Sequence, residues 1–153
     1  MTEAPGHRPR PSDVFELDGS RGEEAVDLLV LAFEEDPAYR YFCSAERPGY
    51  LRRLRIVFRS LWTLWRASGQ PLVGIASGQR LAGLAMIQEP GSRLPVRPQL
   101  RWLLSVALSA GPRVPWRILG DMRIAERARP AEPHFYLLIL AAHPAFQGTG
   151  CGR

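Results

Sequence analysis

The spacing of hydrophobic positions changes several times along the chain, and each change marks an element. Residues 14–17 read as a short strand closed by Asp18-Gly19-Ser20. From Arg21 the period becomes helical, with Ala25, Leu28, Leu29, Ala32 and Phe33 on one face. Glu23 and Glu24 fall in the first turn, where the helix dipole favours acids, and Pro37 ends the helix. Residues 48–68 form the most regular helix: Leu51, Leu54, Phe58, Leu61 and Trp65 recur at spacings of three and four, with Arg52, Arg53, Arg55, Arg59 and Arg66 mostly elsewhere. After Ser68-Gly69 the period shortens. Residues 71–76 and 81–88 read as strands joined by a Ser77-Gly78-Gln79-Arg80 hairpin. A proline-punctuated loop over 89–98 leads to helices at 99–110 and 115–127, separated by Gly111-Pro112. The run 135–142 is apolar without a break, long enough for a strand and short for a helix, and suits a strand covered on both faces. Pro144 stops its ladder and pushes His143 towards extended geometry.

A chain of 153 residues makes one domain and can bury a real core. Residues 1–12 read as a disordered lead-in and 13–153 as the domain. Hydrophobic content of 46% and charge of 23% are ordinary for a soluble globular protein. All 20 basic residues are arginine, against 15 acids. That usage points to GC-rich coding rather than to nucleic-acid binding, while a basic surface still favours an anionic ligand. The arginine-rich helix at 48–68 has two readings, a core helix with a solvated charged side or an element that lies on a membrane or nucleic acid. The first is preferred, so neither a nucleic-acid nor a membrane partner is expected. Cys43 and Cys151 make neither a disulfide framework nor a zinc spacing, and no metal is expected. No apolar h-region opens the chain and no apolar segment approaches membrane-spanning length, so a cytoplasmic location is expected.

The chemistry concentrates after the last strand. In Gln147-Gly148-Thr149-Gly150-Cys151-Gly152, alternate glycines allow a tight turn and leave successive N–H groups uncovered, a geometry that cradles an anion. A P-loop is excluded because the chain has no lysine, and G-x-G-x-x-G fails on spacing. The pattern that fits is an apolar strand, His143-Pro144, then Gln-x-x-Gly-x-Gly. It resembles the acyl-CoA pyrophosphate loop of the GNAT N-acetyltransferase superfamily. Arg80-Leu81-Ala82-Gly83-Leu84-Ala85-Met86 resembles the third strand of that superfamily, with Gly83 marking a close backbone approach or a bulge. The Pro130-Ala131-Glu132-Pro133 turn is similar to that of its antibiotic-modifying members.

The resemblance implies an α/β fold, a mixed sheet whose first four strands are antiparallel, with helices on both faces. Acetyl-CoA would be the co-substrate, lying against the fourth strand. Backbone groups of Leu140 and Ala142 would pair with its pantetheine arm, and the N–H groups of Gln147, Gly148, Gly150 and Gly152 would hold its pyrophosphate. Ala142 stands where the family usually has Val. Acetyl would pass directly to an amine of a small-molecule or peptide acceptor, with a general base taking the ammonium proton. Glu132, His134 and His143 are the titratable groups nearest the strand and are the base candidates; the alternative is that they simply face solvent. Ala32-Phe33-Glu34-Glu35-Asp36-Pro37 resembles the acceptor-facing step of the family, which would place Asp36, Tyr39 and Tyr41 at the acceptor. Equally, Asp36 caps the next helix and the aromatics belong to the core. Trp102 and Trp116 are packing residues or walls of an acceptor pocket. The family's CoA-binding helix, its thiol-protonating tyrosine and its later strands have no counterpart before Arg153. The expectation is therefore a truncated domain with an uncovered fourth strand, inactive or nearly so alone. The alternative is a non-catalytic fragment or half-domain, completed as a homodimer or by another chain.

Overall fold

The computed structural model describes residues 14–148. Four strands, β1 (Val14–Glu16), β2 (Leu72–Ser77), β3 (Arg80–Gln88) and β4 (Tyr136–Ala142), lie in the order β1-β2-β3-β4. Every neighbouring pair is antiparallel, as expected of the first four strands. A two-residue turn at Gly78-Gln79 closes the β2–β3 hairpin.

Register decides which face is buried. Leu72 pairs with Met86, which pairs with Ile139; Leu84 pairs with Ala141, and all five side chains are buried. They join one core with side chains of α1 (Gly22–Phe33), α3 (Tyr50–Ser68) and α4 (Val96–Ala110). The intervening residues Val73, Ile75, Ala85 and Ile87 point to the other face and are only partly buried. The helices cover one face of the described sheet. The two-sided cover that the unbroken apolar run suggested for β4 is absent among the described residues, where Leu137 and Leu140 stay 50% and 51% exposed.

Local chemistry explains where elements begin. α1 stops at Phe33, and Pro37, expected as a terminator, instead opens α2 (Pro37–Phe42) at its first position, where its missing N–H costs nothing. The Asp36 carboxylate caps α2 by accepting from the N–H groups of Ala38 and Tyr39 at 2.9 and 3.0 Å. α4 and α5 (Arg113–Arg127) start two or three residues before the sequence suggested, with Pro98 and Pro115 each in the first turn, among donors that have no helical partner anyway. On α3, Leu54, Phe58 and Trp65 are buried as the spacing predicts, but Leu51 is exposed. Its arginines mostly have partners: Arg55 reaches Asp27, Arg59 reaches Glu23 at 2.6 Å, and Arg53 turns back onto the α2–α3 loop. No described helix is long and apolar enough to cross a membrane.

Candidate functional site

β4 is an edge strand of the described sheet, and its hydrogen-bond parity determines what that edge offers. The His143 N–H donates to the Ala82 carbonyl at 2.8 Å, making 143 and 82 a hydrogen-bonded pair. Antiparallel pairs alternate, so Ala141, opposite Leu84, turns its backbone groups towards β3. Leu140 and Ala142 fall at the other parity, with their N–H and C=O groups directed to the open side. An extended chain laid along that edge meets a donor and an acceptor at Leu140 and a donor at Ala142, whose carbonyl already accepts from the Gln147 side chain, which suits an amide-bearing arm.

Two irregularities frame this edge. Met86 pairs with Ile139 and Ile87 with Leu137, leaving Leu138 as an extra residue that bends β4 near its start. At the other end, a Cβ on Gly83 would sit 2.9 Å from the Ala141 carbonyl oxygen and 3.2 Å from the Ile75 side chain. Both readings of Gly83 meet here, because the β2–β3 register also shifts beside it, with Ala76 opposite Leu81 and Ile75 opposite Gly83.

Beyond Ala142 the chain turns through a 3-10 segment, Pro144–Phe146. His143 caps it: its Nδ1 accepts the Ala145 N–H at 3.2 Å, and its ring stands edge-on to Phe146 at 5.8 Å. The Gln147 side-chain amide donates back to the Ala142 carbonyl at 3.3 Å. Gly148 has φ of +77°, a left-handed conformation that glycine adopts without a steric penalty. Gly150 and Gly152 lie outside the described residues.

The two histidines are held differently. His134 Nδ1 lies 2.7 Å from the Glu132 carbonyl oxygen, which can only accept, so the neutral ring carries its proton on Nδ1 and its lone pair on Nε2. In His143 the roles reverse: Nδ1 is the acceptor, and the proton of the neutral ring sits on Nε2. They flank opposite ends of β4, nine residues or roughly 30 Å apart at the rise of a strand, and cannot serve the same atom. Glu132 is exposed at the His134 end.

The acceptor candidates divide as well. Tyr39 is enclosed by Phe33, Phe42 and Phe58, with ring centroids 5.0, 5.8 and 4.8 Å away. Burial, then the nearby Asp36 charge, holds its phenol above the ordinary tyrosine range. Asp36 is occupied as a cap. Tyr41 is different: it lines a cleft of about 530 Å³ between α2 and α5 together with Trp116, Arg117, Asp121 and Ile124. Tyr41 and Trp116 are 61% and 72% exposed, so aromatic surface is open there. The Arg117 guanidinium lies 4.5 Å from the centre of the Tyr41 ring and donates to the Tyr41 carbonyl and the Ser44 hydroxyl. Asp121 was missed from the sequence, although its helical spacing from Arg117 and its position beside Gly120 were legible. Trp102 is buried in the core.

No family model and no curated protein matches the chain. Among solved structures it is similar to a crystal structure described as histone acetyltransferase HPA2 and related acetyltransferase, from Corynebacterium glutamicum. The TM-score is 0.65 at 23% identity, over 91% of this chain and 64% of that one. The chain thus spans less than two thirds of the structure it matches. What the likeness establishes is architecture: four antiparallel strands and their helices form the same α/β fold as the matched part of that structure.

Proposed function

We propose that this chain carries the acetyl-CoA-binding part of an N-acetyltransferase and that the open edge of β4 is the co-substrate site. The observation that carries the reading is the parity of β4, which directs the backbone groups of Leu140 and Ala142 outwards beside a glycine-rich loop. Acetyl-CoA supplies an activated thioester. In this reading Leu140 and Ala142 hold the pantetheine arm, and the N–H groups of Gln147, Gly148, Gly150 and Gly152 hold the pyrophosphate. Each well-aligned bond of this charge-assisted kind contributes about 1.5–3 kcal/mol. With the pyrophosphate at the C-terminal end of β4, the thioester points towards its bulged N-terminal half.

That direction separates the base candidates. His134, whose neutral ring presents the Nε2 lone pair, lies at the thioester end and takes the ammonium proton of the acceptor; Glu132 fixes its tautomer through the backbone carbonyl and is the alternative carboxylate base. His143 lies at the phosphate end and shapes the turn. The acceptor is an amine of a small molecule or peptide. The open Trp116 ring and the Asp121 carboxylate favour a cationic group by cation–π contact and by charge, while the Tyr41 ring already carries the Arg117 guanidinium.

The test is amide exchange. Acetyl-CoA should slow exchange at Leu140 and Ala142, whose N–H groups face solvent, while Ile139 and Ala141 stay protected throughout. Unchanged exchange at both edge amides under saturating acetyl-CoA would remove the basis of the proposal. A second reading, a half-domain completed by another copy or chain, is favoured by the exposed Leu137 and Leu140 on the same strand and Phe135 just before it.

A further inference from the structure

A second cleft, of about 580 Å³, opens between the α2–α3 loop and the α4–α5 turn. Its floor is apolar, made by the buried Ala110 and Val114 with Pro48 and Pro112, and its charged lining is entirely cationic: Arg47, Arg53 and Arg113. Among the described residues no carboxylate lines it; Glu46 sits in the same loop but outside the cleft.

The three arginines differ in what they have left to give. Arg53 is a fixed wall. Its guanidinium donates to the carbonyls of Cys43, Ser44, Arg47 and Pro48 at 2.7–3.0 Å, satisfying most of its N–H groups with dipoles and leaving its charge without a counter-ion among the described residues. The Arg47 and Arg113 side chains have no hydrogen-bond or ion-pair partner among the described residues, although several other arginines of this chain find an acid. The loop that carries Arg47 is set by Ser44, a non-glycine residue at φ of +54° and only 7% exposed, whose hydroxyl accepts from Arg117. Such backbone strain persists only where surrounding bonds over-determine it. The Arg53 fork and the Arg117 bond do that here.

We infer that this cleft binds a phosphate monoester carrying a compact apolar group, with Arg47 and Arg113 as the two free forks and Arg53 as a fixed charge behind them. Planar guanidinium groups pair with phosphate through two N–H donors at once, and the apolar floor takes the organic part. The site lies apart from the β4 edge and does not depend on the acetyl-transfer reading.

Phenyl phosphate is the probe, followed by isothermal titration on the whole chain with circular dichroism as the check on folding. Wild-type protein should bind it in the millimolar range or tighter and lose affinity as salt rises. The double variant R47Q/R113Q, which breaks no bond in the described structure, should bind at least about tenfold more weakly. Neither Arg47 nor Arg113 lies beside β4, so a loss in R47Q/R113Q separates this cleft from any phosphate site there. Absence of wild-type binding, or equal binding by R47Q/R113Q, overturns the inference.

Discussion

Asp36 and Arg53 both act on the same stretch of chain, and only one of them announces itself. An acid before Pro at a helix start is a capping signal, and the carboxylate caps α2. Asp36→Ala should cost about 1 kcal/mol in urea unfolding, with Asp36→Asn close to wild type. Arg53 sits in an arginine-rich helix where the sequence offers nothing to distinguish it from Arg52. Its four carbonyl acceptors were visible only once the loop was folded back on α3. Arg53→Lys keeps the charge and loses the fork, and should destabilise by about 2 kcal/mol, more than any single exposed arginine of α3. Cys43 adds a pH signature. Burial pushes its thiol up to about 11 from the usual 9.0. The unfolded chain therefore loses this proton first, and stability should fall as pH rises from about 9 to about 11, with no contribution from this group below that window. In a Cys151→Ser background, Cys43 should resist alkylation at pH 8 until urea is added.

At the scale of elements, the period of the hydrophobic pattern was enough to find the strands, the hairpin and the long helix, because burial on one face dictates that period. Helix starts were shifted where a proline sat in a first turn, since proline reads as a breaker unless the following turns are known to be helical. For β4 the apolar run suggested cover on both faces and the missing later elements suggested an uncovered strand; the second holds among the described residues. An apolar run records what a strand can bury, and Leu137 and Leu140 are not buried by any described element. Such an edge invites pairing with another chain. Leu137→Lys should therefore reduce self-association in light scattering at high protein concentration without altering the circular dichroism spectrum. The parity of β4 was beyond reach of the sequence, because a shift of one residue exchanges the two sets of backbone groups.

For the whole molecule, the glycine loop and the strand before it pointed to the fold that the structure shows, over 64% of the matched acetyltransferase. The candidate site was legible in part. Leu140, Ala142, Gln147 and Gly148 come together at one end of an edge strand, and Tyr41 meets Trp116 and Asp121 in a separate cleft. Asp36 and Tyr39 serve the scaffold around that cleft rather than its lining. The central claim is that the open edge of β4 binds acetyl-CoA through its backbone. The most direct measurement is a calorimetric titration of acetyl-CoA into wild-type protein and into Leu140→Pro, which deletes one outward N–H and leaves the β3 ladder intact. The account predicts saturable binding by the wild type and a loss of about tenfold or more in Leu140→Pro, with unchanged circular dichroism. Wild-type protein that does not bind, or a folded Leu140→Pro protein that binds equally well, would contradict it.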